Sequence, residues 1–147
     1  TQNKNAHVLG YDTSVIVDGQ ILGKPADYAD FRRMMKSLSD KAHQVLTGIA
    51  LVTHRNGKVE VDSCVVSTDV HFKAITENEI RNYWVSGEPE DKAGGYGIQG
   101  LGAQFVEKIH GCYFSVVGLP LFETAKLLAQ RGLLTSIQKN TSKHEES

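Results

Sequence analysis

The feature that most constrains this chain is a pair of long β-branched runs, Val45 to Thr53 and Val59 to Phe72, separated only by Arg55-Asn56-Gly57-Lys58. Asn-Gly is the strongest short-range hairpin signal because a two-residue turn of the right twist needs positive φ at both central positions. Two long antiparallel strands are expected here. A second hairpin precedes them: His7-Val8-Leu9-Gly10 and Thr13 to Val17 read as strand, Asp18-Gly19 as the turn, and Ile21-Leu22 as a short return strand.

Helical signals lie between and after these strands. From Ala29 to Leu38 the residues Phe31, Met34, Met35 and Leu38 fall at i, i+3, i+4 and i+7, the apolar face of an amphipathic helix. Thr76-Glu77-Asn78-Glu79 is a capping box, and the helix it opens should turn Ile80, Tyr83 and Trp84 inward and stop near Gly87. A glycine-rich loop from Gly87 to Gly102 follows. Then come strand-like Gln104 to Ile109 and Tyr113 to Val117, parted by His110-Gly111, and a last helix from Pro120 to near Gly132. Thr135 to Ser147 is polar and reads as a frayed tail. No linker or repeat divides the chain, so 1–134 is expected to form one mixed α/β domain with antiparallel strand pairs.

Charge and cysteine content narrow the function. A formal net charge of −1 gives no global reason to expect a polymeric nucleic acid or an anionic membrane as partner. Cys64 and Cys112 lie outside any CxxC spacing, so reduced, buried thiols are expected. No apolar run is long enough to span a bilayer and no secretory signal is seen, which leads to the expectation of a soluble, cytoplasmic protein.

Several motifs mislead. Gly95-Tyr96-Gly97-Ile98-Gln99-Gly100 satisfies GxGxxG, yet a dinucleotide fingerprint needs a strand before it and a helix after, and neither is expected. Gly19 to Pro25 resembles a P-loop but is one residue short and has Pro25 where a magnesium-binding hydroxyl belongs. No histidine pair has ligand spacing, so His43, His54, His71 and His110 read as strand-end or surface residues. More telling is the concentration of Glu88, Asp91, Lys92 and Gln99 in one loop that holds six glycines between Gly87 and Gly102. Close approach of backbone to a ligand is one reason for such a loop, and positive-φ turns are the other.

Leu9-Gly10-Tyr11-Asp12-Thr13, Leu22-Gly23-Lys24-Pro25, the run from Leu38 to Gly48, the run from Glu88 to Gly100 and Val116-Val117-Gly118-Leu119-Pro120-Leu121 resemble the signature blocks of the Maf family. That resemblance implies a two-lobed α/β fold similar to that of inosine-triphosphate pyrophosphatases, with a mixed sheet and a central nucleotide cleft. It also implies hydrolysis of a nucleoside triphosphate to the monophosphate and pyrophosphate, with a divalent metal, magnesium or manganese, and a homodimer as possible assembly. Two departures stand out: the family's opening Ser-x-Ser-Pro-Arg-Arg phosphate loop is not found, and Tyr11 replaces a small residue before the Asp-Thr pair.

By resemblance Asp12 is the proton acceptor, and a carboxylate can equally hold the metal that acidifies the water. Lys24 and Lys92 would act on the phosphates as flexible point charges. Thr13 and Gln99 would face the base, with Asp91 among the substrate-binding residues. The pairing of these blocks looks like the dTTP/UTP subfamily. The alternatives are 7-methyl-GTP as substrate, a non-catalytic nucleotide-binding regulator of septum formation, and a purely structural module.

Overall fold

The computed structural model describes residues 5–133. Within these residues five strands form one sheet in the order β2-β1-β3-β4-β5, with β1 at Ala6–Val17, β2 at Gln20–Leu22, β3 at Ala42–Arg55, β4 at Lys58–Phe72 and β5 at Val106–His110. Four α-helices accompany it: α1 (Tyr28–Leu38), α2 (Glu77–Val85), α3 (Tyr113–Val117) and α4 (Leu121–Gln130).

Both expected hairpins form. Asp18 and Gly19 have φ of 50° and 74°, and Asn56 and Gly57 have 52° and 78°, the positive values a two-residue turn requires. The β3–β4 ladder then runs unbroken from Arg55↔Lys58 to Ala42↔His71. Every ladder among the described residues is antiparallel, so the mixed sheet expected above is not seen there. The reason is topological. The β2-α1-β3 connection is a crossover long enough for a parallel pair, but β1 lies between β2 and β3 and pairs antiparallel with both.

One face of the sheet carries the core. Val15 and Val17 of β1, Val45 of β3 and Val70 and Phe72 of β4 meet Phe31, Met34, Met35 and Leu38 of α1 and Ile80 and Tyr83 of α2. Asp27 caps α1 by accepting from Asp30 N–H at 2.8 Å, and Thr76 and Glu79 close the reciprocal capping box of α2. A smaller cluster of Ile49, Leu51 and Leu127 docks α4 against β3. Strand alternation sends the intervening residues to the opposite face, where Val8, Val61 and Val65 are 58%, 61% and 69% exposed.

Two elements depart from expectation. Tyr113–Val117 is the helix α3, not a strand, and the stretch from Gln104 splits into a 3-10 turn, Leu101–Phe105, and β5. Strand propensity in Tyr113-Phe114-Ser115-Val116-Val117 is overridden by tertiary hydrogen bonds. Ser115 Oγ lies 2.8 Å from Thr68 Oγ1, Thr47 Oγ1 donates to the Ser115 carbonyl at 2.6 Å, and Gly118 ends the helix at φ 109°. Helix α4 begins at Leu121 with Pro120 as its N-cap. The expected polar tail lies outside the described residues.

Candidate functional site

A cleft of about 470 Å³ opens on the core face of the sheet. Its floor is Thr13 and Val15 of β1 and Val45 of β3. One wall is Val116 and Val117 of α3, and the other is the glycine-rich segment, contributing Glu88, Lys92, Ala93, Tyr96, Gly97, Ile98, Gln99 and Gly100. This is a slot of mixed lining in which apolar side chains alternate with a few convergent polar groups, the general form of a small-molecule site.

The walls hold their shape through named bonds. Thr13 Oγ1 lies 3.1 Å from Thr47 Oγ1, which in turn donates to α3, so floor and wall are joined through one buried threonine. The opposite wall is anchored by Gly94 N–H donating to the Gly23 carbonyl at 3.0 Å. Gly94 and Gly95 adopt φ of 73° and 78° with Val15 and Phe31 packed against them, so a side chain at either position would be both strained and crowded.

Of the residues expected at the site, Thr13, Lys92 and Gln99 line this cleft together. Asp91 and Lys24 flank it. Asp91 pairs with Lys92 at 3.3 Å, and its carboxyl is held below the usual range first by that hydrogen bond and the Lys92 charge, with a smaller contribution from Lys24. The exposed Lys24 follows β2 and is tied to the cleft wall by the adjacent Gly23–Gly94 bond.

Asp12 stands apart. β1 runs without interruption through Gly10-Tyr11-Asp12, where the expected strand segments stopped at Gly10 and resumed at Thr13, so Asp12 is mid-strand and alternates to the face opposite Thr13. There it faces Gly48 and Val65 across the ladder and borders a shallow groove with Gly10, Ala50 and Ser63. It is exposed, and the ion pairs among the described residues do not use it. Because β2 pairs only with Val15 to Val17, the other edge of β1 at Asp12 and Thr13 has no strand partner among the described residues.

Two groups near the cleft escaped the sequence reading. His43 is buried and not a surface residue: Nε2 lies 2.6 Å from Tyr96 Oη, and Phe72 packs edge-on against the ring. Burial, and secondarily the nearby His71, push its pKa down to about 4. Tyr83, expected only as core, also lends its hydroxyl to Glu88. Alternation within Ala42-His43-Gln44-Val45 was the available signal for His43, since it places His43 on the same face as Val45. The two cysteines are free, as expected, but half-buried.

The Maf-like protein family model matches residues 1–131. The chain belongs to the Maf family. Among similar proteins, one from Pseudoalteromonas translucida is 59% identical over 82% of this chain and 62% of its own length. One from Colwellia psychrerythraea is 52% identical over 90% and 60%, and one from Vibrio vulnificus 52% over 86% and 66%. Each is named a dTTP/UTP pyrophosphatase. The chain thus spans roughly three-fifths to two-thirds of the length of these curated relatives. Among the described residues no helix is long and apolar enough to cross a membrane.

Proposed function

We propose that this chain forms the larger part of an enzyme that hydrolyses dTTP and UTP to the monophosphate and pyrophosphate, cleansing the nucleotide pool. The observation that carries the reading is the cleft itself: an exposed amide, Gln99, and an ammonium, Lys92, stand on one wall of a slot whose floor presents Thr13. The similarity to relatives named dTTP/UTP pyrophosphatase supports this choice of substrate. An amide offers both a donor and an acceptor, matching the carbonyl and ring N–H that thymine and uracil share. In this reading Lys92, with Lys24 flanking the cleft, neutralises the triphosphate that extends from the base end of the slot.

Water attacks the α-phosphorus and pyrophosphate leaves. In this reading Asp12, beyond the open edge of β1, accepts the water's proton or carries a divalent cation. The donor set decides how such a cation, magnesium or manganese, would be held. The described residues include no group of three or more His, Cys, Asp or Glu side chains that could form a cage. Magnesium characteristically uses one or two carboxylates together with substrate phosphates, so a single carboxylate at Asp12 fits an ion that arrives with the triphosphate. Bound there, it would polarise the phosphoryl oxygens. A cytoplasmic homodimer belongs to the same reading, on the family resemblance alone.

Product identity is the test. Phosphorus NMR of dTTP incubated with the full-length protein should show pyrophosphate and dTMP. Release of orthophosphate and dTDP would place cleavage at the wrong bond, and no turnover would favour a nucleotide-binding regulator.

A further inference from the structure

The side chain that reads the base in this proposal, Gln99, sits at the tip of a short turn closed by Gly100 N–H donating to the Gly97 carbonyl at 3.3 Å. None of the side-chain hydrogen bonds among the described residues holds Gln99 itself. Both ends of the turn converge instead on one carboxylate. Glu88 Oε1 accepts from Leu101 N–H at 2.9 Å, and Oε2 accepts from Gly102 N–H at 3.1 Å and from the Tyr83 hydroxyl. That hydroxyl accepts in turn from Gly97 N–H at 3.0 Å. Four hydrogen bonds therefore fix the segment Gly97 to Gly102 relative to helix α2.

Packing points the same way. A Cβ on Gly100 would fall on the Glu88 carboxylate, and one on Gly102 would lie 2.7 Å from both the Gly97 carbonyl and the Tyr83 hydroxyl. The glycines are thus required by the approach of Glu88 and Tyr83. Tyr83 is itself rigid, its ring set edge-on between Phe31 and Phe105 at 5.9 and 5.3 Å. Burial pushes the Glu88 carboxyl pKa up, but the bonds from Tyr83, Leu101 and Gly102 outweigh it, and the group stays ionised as an acceptor.

We propose that Glu88, directly and through Tyr83, is a positioning residue for substrate selection: it fixes the turn from Gly97 to Gly102 so that the Gln99 amide meets one base edge. The proposal rests on the reading of the cleft as a nucleotide site. A two-bond readout tolerates displacements of only about 0.5 Å, so loosening the turn costs discrimination before it costs chemistry. Tyr83→Phe keeps the ring and removes the hydroxyl. Glu88→Gln keeps the length and replaces one of two acceptor oxygens by a donor.

The experiment measures kcat, KM and Kd for dTTP, UTP, CTP and GTP in the full-length protein, with Tyr83→Phe, Glu88→Gln and, as control, the exposed Glu90→Gln. Thermal midpoints are recorded alongside. In both loop variants the ratio of kcat/KM for UTP over CTP should shrink by about fivefold or more, through KM, with kcat within about threefold of wild type. Glu90→Gln should keep the wild-type ranking. Loop variants that lose activity uniformly, or keep the ranking, overturn the proposal, as does a wild type with no base preference. A wild type that ranks another nucleotide first refutes the dTTP/UTP reading alone, and Glu88 is then judged by whether the variants flatten that ranking.

Discussion

His43 Nε2 lies 2.6 Å from Tyr96 Oη, a bond between the start of strand β3 and the glycine-rich wall of the cleft. The other ring nitrogen, Nδ1, is buried without a partner, so a proton added there would have nothing to receive it. The folded protein therefore favours neutral His43, with a pKa near 4 against 6.5 for a free histidine. Below 6.5 the unfolded state binds the extra proton first. Stability from this group is complete above pH 6.5 and is lost as pH falls from there to about 4, amounting to about 3 kcal/mol at the limit. NMR titration of His43 together with urea melts at pH 7 and 4.5 checks this. A His43 pKa near 6.5 would contradict it.

Asp12→Asn keeps shape and removes both charge and basicity. Turnover of dTTP should fall by about 10²–10⁴-fold while nucleotide Kd changes little, as for loss of a general base. A parallel fall in magnesium affinity would identify the carboxylate as a metal holder. Retention of more than about a tenth of the wild-type rate excludes both roles.

Gly100→Ala places a methyl on the Glu88 carboxylate and should displace it from the Leu101 and Gly102 amides. With the part-buried Gly102 donor left unmade, the expected destabilisation is about 1 kcal/mol or more, read as a shift in the urea midpoint. Gly10→Ala, where nothing lies within 4 Å of an added Cβ, is the comparison and should change stability little. Equal midpoints for the two variants would show that the Glu88 contact is slack.

Lys92→Ala removes an ammonium and also the stem that lies over Gly97, whose Cβ position is 2.6 Å from Lys92 Cε. Triphosphate binding should weaken by about tenfold or more, and added salt should weaken the wild type more than the variant, which keeps Lys24. Unchanged binding and unchanged salt dependence would remove Lys92 from the phosphate site.

Local signals explain how much could be read in advance. Asn56-Gly57 and Asp18-Gly19 specify their hairpins through backbone conformation alone, and the Phe31 to Leu38 stripe and the Thr76 capping box are equally local. Helix α3 was illegible because Tyr113 to Val117 has strand composition, and its conformation is decided by Thr47 and Thr68, more than forty residues earlier. At the site, the motif placed Thr13, Lys92 and Gln99 in one cleft, but strand alternation separates Asp12 from its neighbour Thr13. Once β1 is seen to be continuous, that separation follows from the two-residue period. The Glu88 contacts depend on the fold of a loop without periodicity and have no pattern to read.

The most direct measurement is kcat/KM for dTTP, UTP, CTP, GTP and 7-methyl-GTP with the full-length wild type and Gln99→Ala. The account predicts dTTP and UTP first and within about tenfold of each other, since a single methyl discriminates weakly, and a ranking that collapses in Gln99→Ala. A wild type that prefers 7-methyl-GTP, or a Gln99→Ala variant that keeps the pyrimidine ranking intact, would contradict it.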